Sequence, residues 1–218
     1  MLKKSKLPEK FLTFYFDGRG GLIGRLRKKV YERNTDEVNS FHIYTILTKE
    51  SNTAFGITSN MIGGSLLPKE EYMDKWIEES NEICELSKKS NILDSMKMRY
   101  DLLEKYYRSK NIFDDTCIVS LEIIGENSKT YNNLKKNPVC TLLFTVDFHY
   151  YKQTTFQFNC VAEIADKNSR LYRFLNAMQF VYHIEEPLRE AVCAYKFNII
   201  ETWIYEAPYN SDISKLIT

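Results

Sequence analysis

Residues Cys117–Asp147 read CIVSLEIIGENSKTYNNLKKNPVCTLLFTVD. An apolar, β-branched run ends at a polar corner, a short helical stretch follows, Asn137-Pro138 stops it, and a second apolar run begins. The corner carries the chemistry. Glu126-Asn127-Ser128-Lys129-Thr130 places two small hydroxyls, a capping amide and one cation where a helix starts. The first N–H groups of a helix have no partner within it, and the helix dipole adds partial positive charge there, so such a corner suits an anion. Ser128, Lys129 and Thr130 are therefore candidate phosphate ligands. Ordinary helix capping by Asn127 or Ser128 accounts for the same residues.

Strand patterns continue beyond this stretch. Cys140, Leu142, Phe144 and Val146 alternate with polar neighbours, and so do Phe156, Phe158, Cys160, Ala162 and Ile164, with FHYYKQ linking them as a long hairpin turn. This is the pattern of half-buried antiparallel strands. Asn168-Ser169 caps a helix through about Tyr182, Pro187 begins another short helical turn, and Tyr195, Phe197, Ile199, Trp203 and Tyr205 alternate in a last strand that Pro208 ends. Upstream, Phe41–Asn60 (FHIYTILTKESNTAFGITSN) predicts a hairpin or two strands. Tyr44, Ile46 and Thr48 share one face, Ile43, Thr45 and Leu47 the other, and Lys49-Glu50-Ser51-Asn52 forms the turn.

Between these strand regions, apolar residues recur at spacings of three and four: Tyr72, Trp76, Ile77, Ile83 and Leu86, then Leu93, Met96, Tyr100, Leu103 and Tyr107. Pro68 followed by Glu70 and Glu71 marks a helix start, and Lys88-Lys89-Ser90-Asn91 a break, so the spacing predicts two amphipathic helices inserted at about 68–108. At the N-terminal end, Phe11–Phe16 (FLTFYF) has the composition of an aromatic strand. The glycines after it, Gly18, Gly20, Gly21 and Gly24, do not complete a dinucleotide fingerprint: counted from Gly18, its last position falls on Ile23. Arg19, Arg25, Arg27, Lys28, Lys29 and Arg33 form a basic cluster that reads either as a solvated helix face or flexible arm, or as a polyanion contact.

Composition narrows the function classes. The 218 residues carry 30 basic and 29 acidic side chains, a net charge of +1, which gives no global attraction to nucleic acid or anionic lipid. The length suits one domain spanning 1–218, with the 68–108 insertion as its embellishment. The five cysteines are widely spaced and lack zinc spacing, which predicts small buried hydrophobes in a reducing compartment. No apolar run reaches membrane-spanning length, and MLKKSKLPEK lacks the apolar core of a secretory signal, so a cytoplasmic location is expected. His42, His149 and His183 have no second ligand at metal spacing, and no serine lies in a G-x-S-x-G elbow. Any reaction would then rest on a bound cofactor that the protein positions.

The strand, the Ser128-Lys129 helix start, Leu134, and Asn137-Pro138 before a further strand together resemble the phosphate-binding segment of the FMN-binding split-barrel family, which includes the pyridoxamine-phosphate-oxidase-like and flavin-reductase-like proteins. The resemblance covers roughly Phe41–Asn60 and Cys117–Tyr205. It implies an α+β fold, mainly antiparallel β, built as a split β-barrel with a helical insertion. It also implies an FMN cofactor with its phosphate at Ser128, Lys129 and Thr130 and its ring near Thr58, Ser59 and Asn60, at a homodimer interface. The implied reaction is electron transfer between the flavin and a nicotinamide or other small-molecule substrate. Thr58-Ser59-Asn60 equally fits a plain strand end. Two other functions are compatible with the sequence: a non-catalytic split barrel holding haem or a deazaflavin, or a barrel binding single-stranded nucleic acid through Arg19–Arg33 and exposed aromatics such as Tyr150 and Tyr151.

Overall fold

The computed structural model describes residues 3–31, 42–50, 56–148, 152–182 and 190–208. His149, His183, Pro187, Arg33, Tyr150, Tyr151 and the tip of the 49–52 turn lie outside them. In chain order the elements are α1 (Glu9–Thr13), a π-helical turn (Phe14–Gly18), α2 (Arg19–Tyr31), β1 (His42–Lys49), β2 (Ile57–Pro68), α3 (Glu70–Ser87), α4 (Ile92–Arg108), β3 (Phe113–Glu122), α5 (Lys129–Lys136), β4 (Val139–Phe148), β5 (Lys152–Ala165), α6 (Arg170–Tyr182) and β6 (Cys193–Pro208). The strands close a barrel in the order β1-β2-β3-β6-β5-β4, with every pairing antiparallel. The α+β, mainly antiparallel class read from the sequence is the class of the structure. Among the described residues no helix is long and apolar enough to cross a membrane.

Period-two patterning sets the barrel walls. Tyr44, Ile46 and Thr48 on β1, Leu142 and Phe144 on β4, and Phe156 and Phe158 on β5 are buried, while Thr45 and Leu47 are only partly so. The last strand changes face partway. Asn159 pairs with Glu201 but Cys160 with Ile199, so Ile200 is an extra residue on β6. A bulge of this kind moves every later side chain to the opposite face. Tyr195, Phe197 and Ile199 are buried, whereas Trp203 and Tyr205 are 49% and 52% exposed.

Phe11–Phe16 is not the strand its aromatics predict. It belongs to a helical segment that begins after Pro8, with Glu9 in its first turn. Helical spacing puts Phe11 and Tyr15 on one side; both are fully buried, and Phe11 enters the barrel. The Phe11 ring meets Phe158, Phe156 and Phe144 at centroid distances of 5.1, 5.4 and 5.7 Å. Burial of a four-ring cluster overrides the β-propensity of the segment. Of the glycines that follow, Gly20 serves helix packing: a Cβ there would lie 3.3 Å from Tyr107 Cβ, so the missing side chain lets α2 approach α4 closely. Arg27 pairs with Asp101 and Glu104 of α4 and lies 5.0 Å from the Tyr31 ring centre, which ties one member of the basic cluster to the chain itself.

The inserted helices start and break near the expected places, and Asn91 caps α4 by accepting the N–H of Asp94 at 3.0 Å. The α4 stripe of Met96, Tyr100, Leu103 and Tyr107 is buried as its spacing predicts. The α3 stripe is rotated from the expected one: Met73, Trp76 and Ser80 face inward, while Tyr72 and Leu86 are exposed. Ser80 takes a core position because α6 crosses there, its hydroxyl donating to Met178 Sδ at 3.4 Å.

Candidate functional site

Two strand ends and one helix start meet at one end of the barrel. Gly125, at φ +66, occupies the left-handed region that glycine tolerates, and it turns the chain from β3 towards α5. The buried Glu122 carboxylate holds that turn: Oε1 accepts the N–H groups of Ile124 (2.8 Å) and Gly125 (3.2 Å), and Oε2 accepts the Tyr195 hydroxyl (2.6 Å). Burial first, and this carboxylate second, push the Tyr195 hydroxyl well above its ordinary pKa, so it stays a donor. Sequence reading missed Glu122, whose sole signal was an acid inside an apolar run.

Ser128 caps α5, its hydroxyl accepting the Tyr131 N–H at 3.3 Å, so the ordinary capping role is realised. The buried Thr130 hydroxyl accepts from the Asn60 amide at 3.3 Å. Asn133, one turn on, donates to the Thr48 hydroxyl at 3.0 Å, which fixes α5 against β1. Lys129 projects outward with 68% of its side chain exposed, 3.7 Å from the Glu50 carboxylate, and Glu50 also accepts from the Thr58 hydroxyl. The fold thus brings Thr58, Asn60, Lys129 and Thr130 together. Ser59 is out of phase with Thr58 and Asn60, pairs across from Leu47, and lies on the opposite strand face. The three residues sit near the start of β2 rather than at a strand end, because the strand runs on through Met61–Pro68 despite its two glycines. Gly64 is required there: a Cβ would come within 2.6 Å of the Tyr44 ring.

The corner holds the donor types an anion takes: an ammonium, two hydroxyls and the first N–H groups of a helix. Glu50 opposes one, because its carboxylate already engages Thr58 and Lys129. It too was missed, an acid at a hairpin end having no local signature.

A cavity of about 330 Å³ lies between β2, β3 and α6. Gly63, Gly64 and Val119 line the barrel side, and Leu175 and Met178 roof it from α6. The cysteines take no part in either feature. Burial pushes the Cys140 thiol up to about 12 and raises Cys117 and Cys160 as well, which suppresses thiolate formation. Among the described residues no group of His, Cys, Asp and Glu could hold a metal ion.

No family model matches the sequence, and no curated protein matches it. Solved structures do. A putative pyridoxamine 5'-phosphate oxidase from Listeria innocua is similar over 84% of this chain and 97% of its own, at 8% identity and a TM-score of 0.41. An FMN-binding protein from Syntrophomonas wolfei subsp. wolfei is similar over 88% and 95%, at 11% identity and a TM-score of 0.40. A heme storage protein from Vibrio cholerae is similar over 84% and 92%, at 11% identity and a TM-score of 0.36. Proteins of the group that Cys117–Asp147 resembles thus stand among the similar structures, beside a haem protein.

Proposed function

We propose that this chain binds FMN, with the phosphate at the α5 start and the ring towards Thr58 and Asn60, as part of a flavin-dependent oxidoreductase acting on a small molecule. One observation carries this reading: the two segments expected to contact the cofactor, 70 positions apart in sequence, are joined by the Asn60–Thr130 hydrogen bond. Lys129 supplies the countercharge to the phosphate, the N–H groups and hydroxyl of the first α5 turn orient it, and Glu122 holds the turn that sets the α5 start. The flavin, when bound, supplies the electron-transfer chemistry.

The resemblance also implies a homodimer, and an outward-facing row on the barrel supports that part of the reading. Register places Met61, Thr45, Leu143, Gln157 and Trp203 side by side across β2, β1, β4, β5 and β6, and both ends of this row are well exposed. A monomeric mass in solution would remove this part of the reading.

The charges around the phosphate give the test. Lys129→Ala is expected to weaken FMN binding about tenfold or more, because one charge-assisted contact contributes about 1.5–3 kcal/mol. Glu50→Gln is expected to act oppositely, strengthening FMN binding severalfold by removing a competing anion. Riboflavin, which lacks the phosphate, should respond little to either change. Fluorescence titration of both flavins into the three proteins measures this, and equal losses for FMN and riboflavin in Lys129→Ala would refute the assigned role.

A further inference from the structure

We propose that the groove between α3 and α4 is a docking surface for a basic amphipathic helix of another protein, one whose apolar seam is flanked by Lys or Arg. Such docking is independent of whether the chain binds FMN.

Apolar residues that the fold leaves uncovered form the floor. Ile83 and Leu86 belong to the apolar stripe that the sequence pattern assigns to α3, but the helix is turned so that Met73, Trp76 and Ser80 face inward. Leu86 is left 46% exposed. Met98 and Leu102 of α4 complete an open groove of about 350 Å³ with these two residues. A trough between two helices presents apolar positions that one face of a third helix can fill.

Charge selects the occupant. Glu79, Glu82 and Asp101 stand along the groove against one cation, Lys105. Glu79 takes up Lys105 at 2.6 Å, and Asp101 is engaged by Arg27 and by the Tyr31 hydroxyl at 3.1 Å. Glu82 has no hydrogen-bond or ion-pair partner among the described residues. It lies three or four positions from Glu78, Glu79 and Glu85, with no Lys or Arg between Trp76 and Ser87. Like charges at these spacings repel, and carboxylates in the last turns oppose the helix dipole. Cations carried by a partner relieve both effects, while their alkyl stems cover Ile83 and Leu86.

The same charges turn other occupants away. A second copy docking by two-fold symmetry would bring the two acidic rims together. The chain's own basic helix, α2, cannot fill the groove of a second copy, because Ile23, Leu26 and Val30 on its apolar side are already buried. Nucleic acid or an anionic membrane surface would meet the carboxylates as well.

Two synthetic helices of about 14 residues, roughly four turns, are the probes. Both carry leucine at i, i+3, i+4 and i+7; one has lysine at the remaining positions and the other glutamate. Each is labelled and titrated with the full-length protein, and fluorescence anisotropy is read at low and high salt. The lysine helix is expected to bind, and the glutamate helix to bind at least about tenfold more weakly. Glu82→Lys should weaken the lysine helix about tenfold and flatten its salt dependence. Leu86→Ser should weaken it about fivefold and leave the salt dependence as it was. Glu9→Lys, the same charge change at an exposed position on α1, should alter little. Circular dichroism checks each fold, and Met98→Gln takes the place of Leu86→Ser should that variant not fold. Absence of binding by the lysine helix, or equal binding of the two helices, would overturn the proposal. A loss in Glu9→Lys as large as in Glu82→Lys would overturn it by revealing diffuse attraction, and indifference to Leu86→Ser by leaving charge without a groove. A protein dimer that Leu86→Ser dissolves would do so too, by giving the groove to a second copy. No readout involves FMN, so failure here and failure of the flavin reading are told apart.

Discussion

Phe11→Ala is expected to lower the unfolding free energy by about 3–5 kcal/mol, the range for deleting a large buried ring. The side chain is fully buried and lies among Phe144, Phe156, Phe158 and Tyr15. Phe144 belongs to β4, Phe156 and Phe158 to β5 and Tyr15 to the helical turn after α1, and all four rings are held in place by the barrel's hydrogen-bonded walls or by the Tyr15–Ser65 hydrogen bond. Walls that are hydrogen-bonded on both sides cannot collapse into the space left behind, which puts the cost towards the upper part of the range. Thr13→Ala, on the exposed side of the same helix, provides the control and should fall within about 0.5 kcal/mol of the parent. Urea unfolding followed by circular dichroism measures both. A loss of less than about 1 kcal/mol for Phe11→Ala would mean that the N-terminal helix does not plug the barrel.

That plug also marks where sequence reading stops. Strands β4 and β5 were legible because alternation is enforced residue by residue along a wall with one buried face. Phe11–Phe16 offers no alternation to read, only aromatic composition, and composition yields to whichever partner buries the rings. The C-terminal half of β6 illustrates a different limit. Its alternation is genuine, but the bulge at Ile200 inverts which face is inside, and nothing local in Asn198–Glu201 announces an unpaired residue. In α3 the helical period is right and its phase is off, because the inward position of Ser80 depends on where α6 crosses.

The candidate site divides along the same line. Ser128, Lys129 and Thr130 are contiguous, and a helix start has its own local chemistry, so they could be singled out from sequence. That Asn60 reaches Thr130, whereas Ser59 faces away, follows from β2 register and from how α5 docks on Thr48. Glu50 and Glu122 matter through what lies across from them, a lysine and a tyrosine more than 70 residues away. Carboxylates at strand ends are common, and a single sequence does not distinguish these two from solvated ones.

Trp76→Ala is expected to cost a similar amount, about 3–5 kcal/mol, and to do so through helix packing rather than through the barrel. The indole is 3% exposed, meets the Tyr106 ring edge-on at 5.3 Å, and lies 5.5 Å from the Lys105 ammonium. Its removal takes away the main side chain of the α3–α4 contact, where the neighbouring buried residues, Met73 and Ser80, are smaller. The consequences reach further than stability. Helix α3 supports α6 through the Ser80–Met178 contact and through the exposed Arg170–Asp74 pair, and Met178 is part of the cavity roof. The exposed ion pair cannot hold α6 by itself, since solvent screens it. Trp76→Ala should therefore raise the mobility of α6 as well as lower the denaturation midpoint. Amide exchange in residues 170–182 should speed up more than in β4, which pairs with β1 and β5 and does not depend on α3. A variant with an unchanged midpoint would show the indole to be dispensable, and uniform acceleration across α6 and β4 would mean that the inserted helices and the barrel unfold as a single unit.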